Sequence, residues 1–166
     1  RQRQMCIRDS GIPSRMRTVR SLLRILAKFP GMVEEVVVIH APGIEDDIPL
    51  FDPGQREELL KAGLSLRCAA NLRAELPELD VVYINAIAWI GDSYEVHGGG
   101  FRLTRDMPFK PEAIVLHPLA RGPELSTCLD ETHHNWYFSQ ARGAVFLRMA
   151  LLTCMVDRAD RVMDVV

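Results

Sequence analysis

From Thr18 the apolar residues Val19, Leu22, Leu23, Leu26 and Phe29 recur at the i, i+3, i+4, i+7 spacing of a helix stripe. That spacing predicts an amphipathic helix, stopped by Pro30-Gly31. Val36, Val37, Val38 and Ile39 then form an unbroken β-branched run, as expected of a parallel strand buried on both faces. Asp52 and Gln55 are spaced as a capping box, Pro53 occupies the expected first helical position, and Gly63 closes the segment after Leu59-Leu60. Residues 64–67 read as a short strand and residues 71–76 as a short helix ended by Pro77. Residues 81–84 and 113–116 read as two further apolar strands, and residues 135–163 as a long C-terminal helix bent near Gly143.

Helices alternating with short apolar strands predict an α/β fold, a doubly wound parallel sheet of about four to five strands with helices on both faces. In such a sheet ligands bind beyond the carboxyl ends of the strands. Two segments therefore stand out, Asn85 onward and His117 onward. The stretch from 85 to 111, about 27 residues with little periodicity, is long enough to be a functional lid or a loose insertion. Its Gly98-Gly99-Gly100 lacks the GxGxxG spacing and does not open a helix after a strand, which argues against a dinucleotide site.

At 166 residues and 48% hydrophobic the chain can bury one full core, so one domain is expected. A net charge of −2 gives no electrostatic case for nucleic acid or an anionic membrane. The longest apolar runs are too short, or too interrupted by Arg142, Arg148 and Asp157, to span a bilayer. Cysteines at 6, 68, 128 and 154 form no CxxC pair and follow no secretory signal, so a reduced, cytoplasmic protein is expected. The first ten residues, RQRQMCIRDS, carry no helical or strand period. They read as translated sequencing-adapter sequence, or as a disordered basic tail, and on either reading lie outside the fold. The domain is then expected over residues 11–166, with the authentic protein beginning near Gly11 and an upstream part missing.

Two stretches carry a resemblance: Val115-Leu116-His117-Pro118-Leu119-Ala120-Arg121, and Thr132-His133-His134-Asn135-Trp136-Tyr137-Phe138-Ser139-Gln140. Together they resemble the C-terminal, amino-acid-binding half of the aspartate and ornithine carbamoyltransferases, with Pro118 favouring the aspartate branch. The resemblance implies transfer of a carbamoyl group from carbamoyl phosphate to the α-amine of aspartate or a related acceptor, in pyrimidine biosynthesis. It implies a homotrimer in full-length form, no cofactor and no metal. It also implies a separate N-terminal domain carrying a Ser-Thr-Arg-Thr phosphate loop. Leu103-Thr104-Arg105 is the nearest string here, and it has no helix-start context.

Residue by residue, the resemblance makes His117 a loop-shaping residue rather than a general base. It assigns the main-chain carbonyls of Leu119 and Ala120 to the carbamoyl NH2 group. Ala120 departs from the family's proline, whose preceding bond is characteristically cis, so either that geometry is retained or the loop has relaxed. Arg121 is expected to form a structural ion pair. Arg17-Thr18-Val19-Arg20-Ser21-Leu22 resembles the family motif whose arginine binds an acceptor carboxylate, a task a guanidinium fork suits. Arg17 inherits that role. Ala86 and Ala88 stand where either branch places the side chains that read the acceptor, so acceptor identity stays open. Asn85 is the chosen acceptor-binding candidate there, with Asp92, Arg102 and Arg105 as other possible substitutes.

His133, His134 and His97 invite a metal reading, but adjacent histidines on a helix point about 100° apart and no zinc-ligand spacing accompanies them. In the family the C-terminal helix crosses back to the first domain. Val145, Met149, Leu152 and Val156 are accordingly expected to be exposed in a lone half. A non-catalytic regulatory or scaffolding homologue is the rival reading, motivated by the altered acceptor positions. A generic nucleotide-binding domain would need a glycine-rich turn after the first strand, and His40-Ala41-Pro42-Gly43 is a poor one.

Overall fold

The computed structural model describes residues 3–8, 17–40, 51–85 and 101–158. Five strands pair in parallel: β1 (Arg3–Arg8), β2 (Val33–Ile39), β3 (Leu66–Ala69), β4 (Val81–Ile84) and β5 (Ile114–Leu116), in the order β3-β2-β1-β4-β5. The central strand is drawn from the segment expected to lie outside the fold. Cys6 stands in register with Val37 on one side and Val82 on the other. The expectation of a disordered tail is therefore corrected. Backbone pairing needs no side-chain period, so Arg3, Gln4 and Arg8 hid this strand without preventing it. β2 and β4, apolar on both faces, leave ladder edges that only a middle strand can satisfy. Without β1, the described sheet is two separate strand pairs, β2 with β3 and β4 with β5.

The helices follow the hydrophobic pattern closely and its boundaries less so. α1 (Arg17–Lys28) buries Val19 and Leu23 completely. A short 3-10 turn at Pro30–Met32 follows, and β2 opens at Val33, earlier than its β-branched run suggests. α2 (Gln55–Lys61) begins after Gly54, whose φ of 77° is a left-handed conformation, so Pro53 lies in the preceding turn rather than at the first helical position. Half of the capping box survives, with the Asp52 amide donating to Gln55 Oε1 at 3.1 Å. Gly63, at φ 88°, ends the segment as predicted.

β3 lies two residues later than expected because its register is set by β2, with Leu66 beside Val36 and Ala69 beside Ile39. α3 (Leu72–Glu75) is capped by Asn71 Oδ1, which accepts from the Ala74 amide. β4 matches its prediction residue for residue. β5 begins at Ile114 rather than Ala113, whose amide turns back to the Lys110 carbonyl.

The long helix α4 (Tyr137–Val156) starts two residues later than expected, because the chain before it runs beside β5. The Val115 amide donates to the His134 carbonyl at 2.8 Å, and the Trp136 amide donates to the Val115 carbonyl at 3.2 Å. α4 continues through Gly143 as one helix. Residues 159–163 of the predicted helix lie outside the described residues.

Two apolar clusters occupy the two faces of the sheet. Val37, Ile39, Val82, Ile84 and Val115 pack with Leu72, Leu76 and Tyr137 on one face. Val36, Val38, Val81 and Tyr83 pack with Val19, Leu23 and Leu59 on the other. The strict alternation along β2 and β4 is the period-2 geometry of a strand expressed in a doubly covered sheet. An Arg20–Asp52 ion pair at 2.8 Å ties α1 to the start of α2. Among the described residues, no helix is long and apolar enough to cross a membrane.

The position of β1 makes a direct prediction. Removing residues 1–10 should leave two strand pairs with unpaired central edges and abolish cooperative unfolding. Native-state hydrogen exchange should show the amides of residues 4–8 protected at a level near that of β4. Exchange at the free-peptide rate there, with the truncated chain still unfolding cooperatively, would contradict the central-strand placement.

Candidate active site

Asn85 follows β4 directly and His117 follows β5, so both lie beyond the carboxyl ends of adjacent parallel strands. The start of α1 reaches the same end, where Asn85 Nδ2 donates to Thr18 Oγ1 at 2.6 Å. Beside this contact is a cleft of about 550 Å³ lined by Thr18, Ser21, Leu22, Ile25, Tyr83 and Gln140. Gln140 belongs to both the cleft and the loop after β5, because its Oε1 accepts from the His117 amide at 2.9 Å. The helix start and the β4 terminus thus meet through a side-chain hydrogen bond, and Gln140 links the β5 loop to the cleft beside them. This is where an open parallel sheet binds ligands.

The loop after β5 is held from within. The His117 ring is fully buried, its Nδ1 accepts from the Leu119 amide at 2.8 Å, and its Nε2 faces Glu124 Oε1 at 3.1 Å. An amide can only donate, so Nδ1 is unprotonated and the single ring proton sits on Nε2, directed at the Glu124 carboxylate. Both of the ring's hydrogen-bonding positions are therefore occupied internally. The peptide bond between Leu119 and Ala120 is cis, which answers which of the two expected geometries the loop adopts. Leu119 itself is in the left-handed region at φ 54°.

Arg121 is anchored separately. Its guanidinium grips Asp130 through two hydrogen bonds, one of them Nη2 to Oδ2 at 2.7 Å, and the Tyr137 hydroxyl also donates to Asp130 Oδ1. The guanidinium carbon also lies 5.8 Å from the centre of the Phe138 ring, a cation–π distance. The Arg121 hydrogen bonds hold the Asp130 carboxyl below its ordinary value. Burial pushes the Tyr137 hydroxyl up, and the neighbouring carboxylate pushes it further. At Glu124 burial raises the carboxyl pKa, but the hydrogen bonds from His117 and the Gly122 amide outweigh it and leave it below its ordinary value.

The other sequence candidates fall in several places. Arg17 opens α1 at the cleft end, while its side chain lies outside the described residues, as do Ala86, Ala88, Asp92 and His97. Arg102 and Arg105 are exposed. The described end of the expected lid is part of the core rather than a loose insertion. Phe101 and Leu103 are buried in the cluster that holds Tyr137, and Leu103 exchanges backbone hydrogen bonds with Glu124 and Ser126. Leu103-Thr104-Arg105 therefore lies beside the segment after the loop, not at a helix start.

His133 and His134 meet the carbonyls of Pro111 and Ala113, at the opposite end of β5 from His117. Among the described residues no group of three His, Cys, Asp or Glu side chains is placed to hold a metal. Glu124 and Asp130 were not foreseen, and Gln140 was marked only as the last residue of a motif, with no role. Each works through a partner 7 to 23 residues away along the chain, and no periodicity marks such a spacing.

Parallel strands, a cleft at their carboxyl ends and a braced loop after the last strand define an α/β ligand-binding domain of the open-sheet type. The description "Aspartate/ornithine carbamoyltransferase, Asp/Orn binding domain" matches residues 11–155, and the chain belongs to that family. The aspartate carbamoyltransferase catalytic subunit of Alkaliphilus oremlandii (strain OhILAs) is 30% identical over 150 residues, which is 87% of this chain and 44% of that protein. The catalytic subunit of M. jannaschii aspartate transcarbamoylase superposes with a TM-score of 0.77 at 20% identity, over 94% of this chain and 50% of that one. The aspartate transcarbamoylase from Trypanosoma cruzi, solved in complex with carbamoyl phosphate and aspartate, superposes with a TM-score of 0.70 at 24% identity, over 91% and 48%. The chain spans about half the length of the relatives it matches. The match begins at residue 11, so β1 lies outside it.

The two hydrogen-bonded carboxylates at the loop set a pH dependence. Asp130 and Glu124 both have folded-state pKa values below their ordinary 3.8 and 4.5, so the stability they contribute is present above those values and lost as pH falls through the lower folded ones. Denaturant unfolding should show stability declining as pH drops below about 4.5, with a shallower decline in Asp130→Asn. An equally steep acid limb in that variant would show that the Arg121–Asp130 pair does not contribute.

Proposed function

We propose that this chain is the acceptor-binding half of an aspartate-carbamoyltransferase-like enzyme, built as a doubly wound sheet. The observation that carries this is the convergence of three features at one sheet end: the start of α1, Asn85, and the loop braced by His117. In this reading the carbonyls of Leu119 and Ala120 accept hydrogen bonds from the carbamoyl NH2 group, and Arg17 and Asn85 hold the amino-acid acceptor. The acceptor α-amine attacks the carbamoyl carbon, a C–N bond forms, and phosphate leaves with the electrons of the C–O bond and takes up the proton that the amine gives up. Catalysis is chiefly positioning and charge stabilisation. His117 supports the loop rather than moving a proton, because both ring nitrogens are already engaged.

The cations and oxyanion donors for the phosphate belong to a second, carbamoyl-phosphate-binding domain. The apolar surface of α4 favours this. Val145, Phe146, Leu147, Met149, Leu152 and Val156 are all more than half exposed, on a helix that is apolar around its circumference. An unpartnered surface of that kind fits a helix that packs against the other half. The full enzyme is read as a cytoplasmic homotrimer acting in pyrimidine biosynthesis. A non-catalytic homologue is the second reading, favoured by Ala86 and Ala88 where the family reads its acceptor.

A colorimetric assay for carbamoyl-aspartate with saturating carbamoyl phosphate should stay at background with this chain alone and rise when both halves are present. Turnover by the chain alone would place the phosphate site within these residues. Background activity with both halves present would favour the non-catalytic homologue. In the two-half protein, Arg17→Ala should weaken acceptor use by about 2 to 5 kcal/mol, the usual cost of truncating one partner of a buried charge pair. Unchanged acceptor kinetics would remove Arg17 from the site.

A further inference from the structure

The pair beneath the loop is unusual for its burial. His117 and Glu124 side chains are 0% and 1% exposed, in contact at 3.1 Å. A carboxylate so deep is costly unless its oxygens are hydrogen-bonded. Glu124 Oε1 takes two donors, His117 Nε2–H and the Gly122 amide at 2.6 Å. Its other oxygen lies where no side chain fits above it: a Cβ added at Gly122 would stand 2.7 Å from Oε2. The loop is therefore folded over the carboxylate, with a glycine at the point of closest approach. The Glu124 carbonyl also accepts from the Leu103 amide at 2.8 Å, which fixes the residue's own backbone to the buried end of the 101–111 segment.

The hydrogen bonds run in one direction. A carboxylate can only accept, so Glu124 selects the tautomer with the proton on Nε2, and that tautomer leaves Nδ1 free to accept from the Leu119 amide. The opposite tautomer would set an N–H against the Leu119 N–H and an unprotonated nitrogen against the carboxylate, losing both contacts. We propose that Glu124 is a positioning residue for transcarbamylation: by fixing the His117 tautomer and seating Gly122, it sets the placement of the Leu119 and Ala120 carbonyls that hold the carbamoyl group. This rests on the acceptor-half reading above and adds to it a residue outside the substrate contacts.

The test uses the protein with both halves. Glu124→Leu removes the acceptor at similar volume, whereas Glu124→Gln keeps an oxygen able to accept from both donors. Glu124→Leu should lower kcat on the order of a hundredfold, the scale of a small misplacement of a reacting group. KM for carbamoyl phosphate should rise more than KM for the acceptor. Glu124→Gln should restore both to near wild type, and Gly122→Ala, which displaces the carboxylate while leaving both residues of the pair chemically unchanged, should reproduce the loss.

Imidazole 15N spectra of the wild-type protein should show His117 neutral, with the proton on Nε2, and the Leu119 amide slow to exchange. A proton on Nδ1 in the wild type would overturn the proposal without any variant having to fold. So would wild-type kinetics in Glu124→Leu, or equal impairment in the Leu and Gln variants. If the wild-type protein shows no transcarbamylation at all, the functional reading fails. The 15N and exchange measurements then decide the brace by themselves.

Discussion

The backbone ladder on either side of β1 is the constraint that the remaining architecture depends on. Met5 to Arg8 pair with both β2 and β4 and so join the two strand pairs into one sheet. The chain leaving β1 feeds α1, so the strand that closes the sheet also delivers the α1 start to its carboxyl end. There Thr18 meets Asn85, which the adjacent strand β4 delivers to the same place. A parallel sheet puts every strand's carboxyl end on one side, and each chain segment leaving that side is a potential contributor to one site.

What ties those loop starts together is hydrogen bonding among a few polar groups. Gln140 on α4 reaches the His117 amide, His117 reaches Leu119, and Glu124 reaches His117 and Gly122. Each of these donors meets an acceptor, which is the condition for such a network to rigidify rather than destabilise its surroundings. Arg121 and Asp130 fix the far side of the loop, with Tyr137 in the core beneath. The loop is thereby specified from the helix above it, the chain after it and the core below. A loop so over-determined presents its carbonyls in a fixed arrangement, as a site relying on positioning requires.

The parts of this arrangement that could be read from the amino-acid order are those governed by a period or by a motif. Val19, Leu22, Leu23 and Leu26 announced α1 because a helix stripe repeats locally, and Val81 to Ile84 announced β4 because a doubly buried strand is apolar throughout. His117, Leu119 and Asn85 were legible through resemblance and through their place after a strand. β1 was not, because Arg3, Gln4 and Arg8 leave only the three-residue Met5-Cys6-Ile7 run between them, and a strand recruited by two waiting edges need not look apolar. The register of β3 depended on its neighbour, and the Pro53 start of α2 gave way to the left-handed Gly54. Glu124 and Asp130 were silent, and Gln140 was marked only as the end of a motif, because their meaning lies in partners that only the folded chain brings near.

The exposed apolar circumference of α4 and the polar network at its first turns divide that helix into two roles. Tyr137 and Gln140 serve the domain described here, and the apolar residues from Val145 onward are exposed. That division fits the acceptor-binding half proposed above. The most direct measurement is the amide NMR spectrum of the 15N-labelled chain titrated with N-carbamoyl-aspartate. Saturable shifts centred on Thr18, Asn85, Leu119, Ala120 and Gln140, with Ala113, His133 and His134 unmoved, are the predicted result. Shifts centred on Ala113, His133 and His134, at the opposite end of β5, would contradict it.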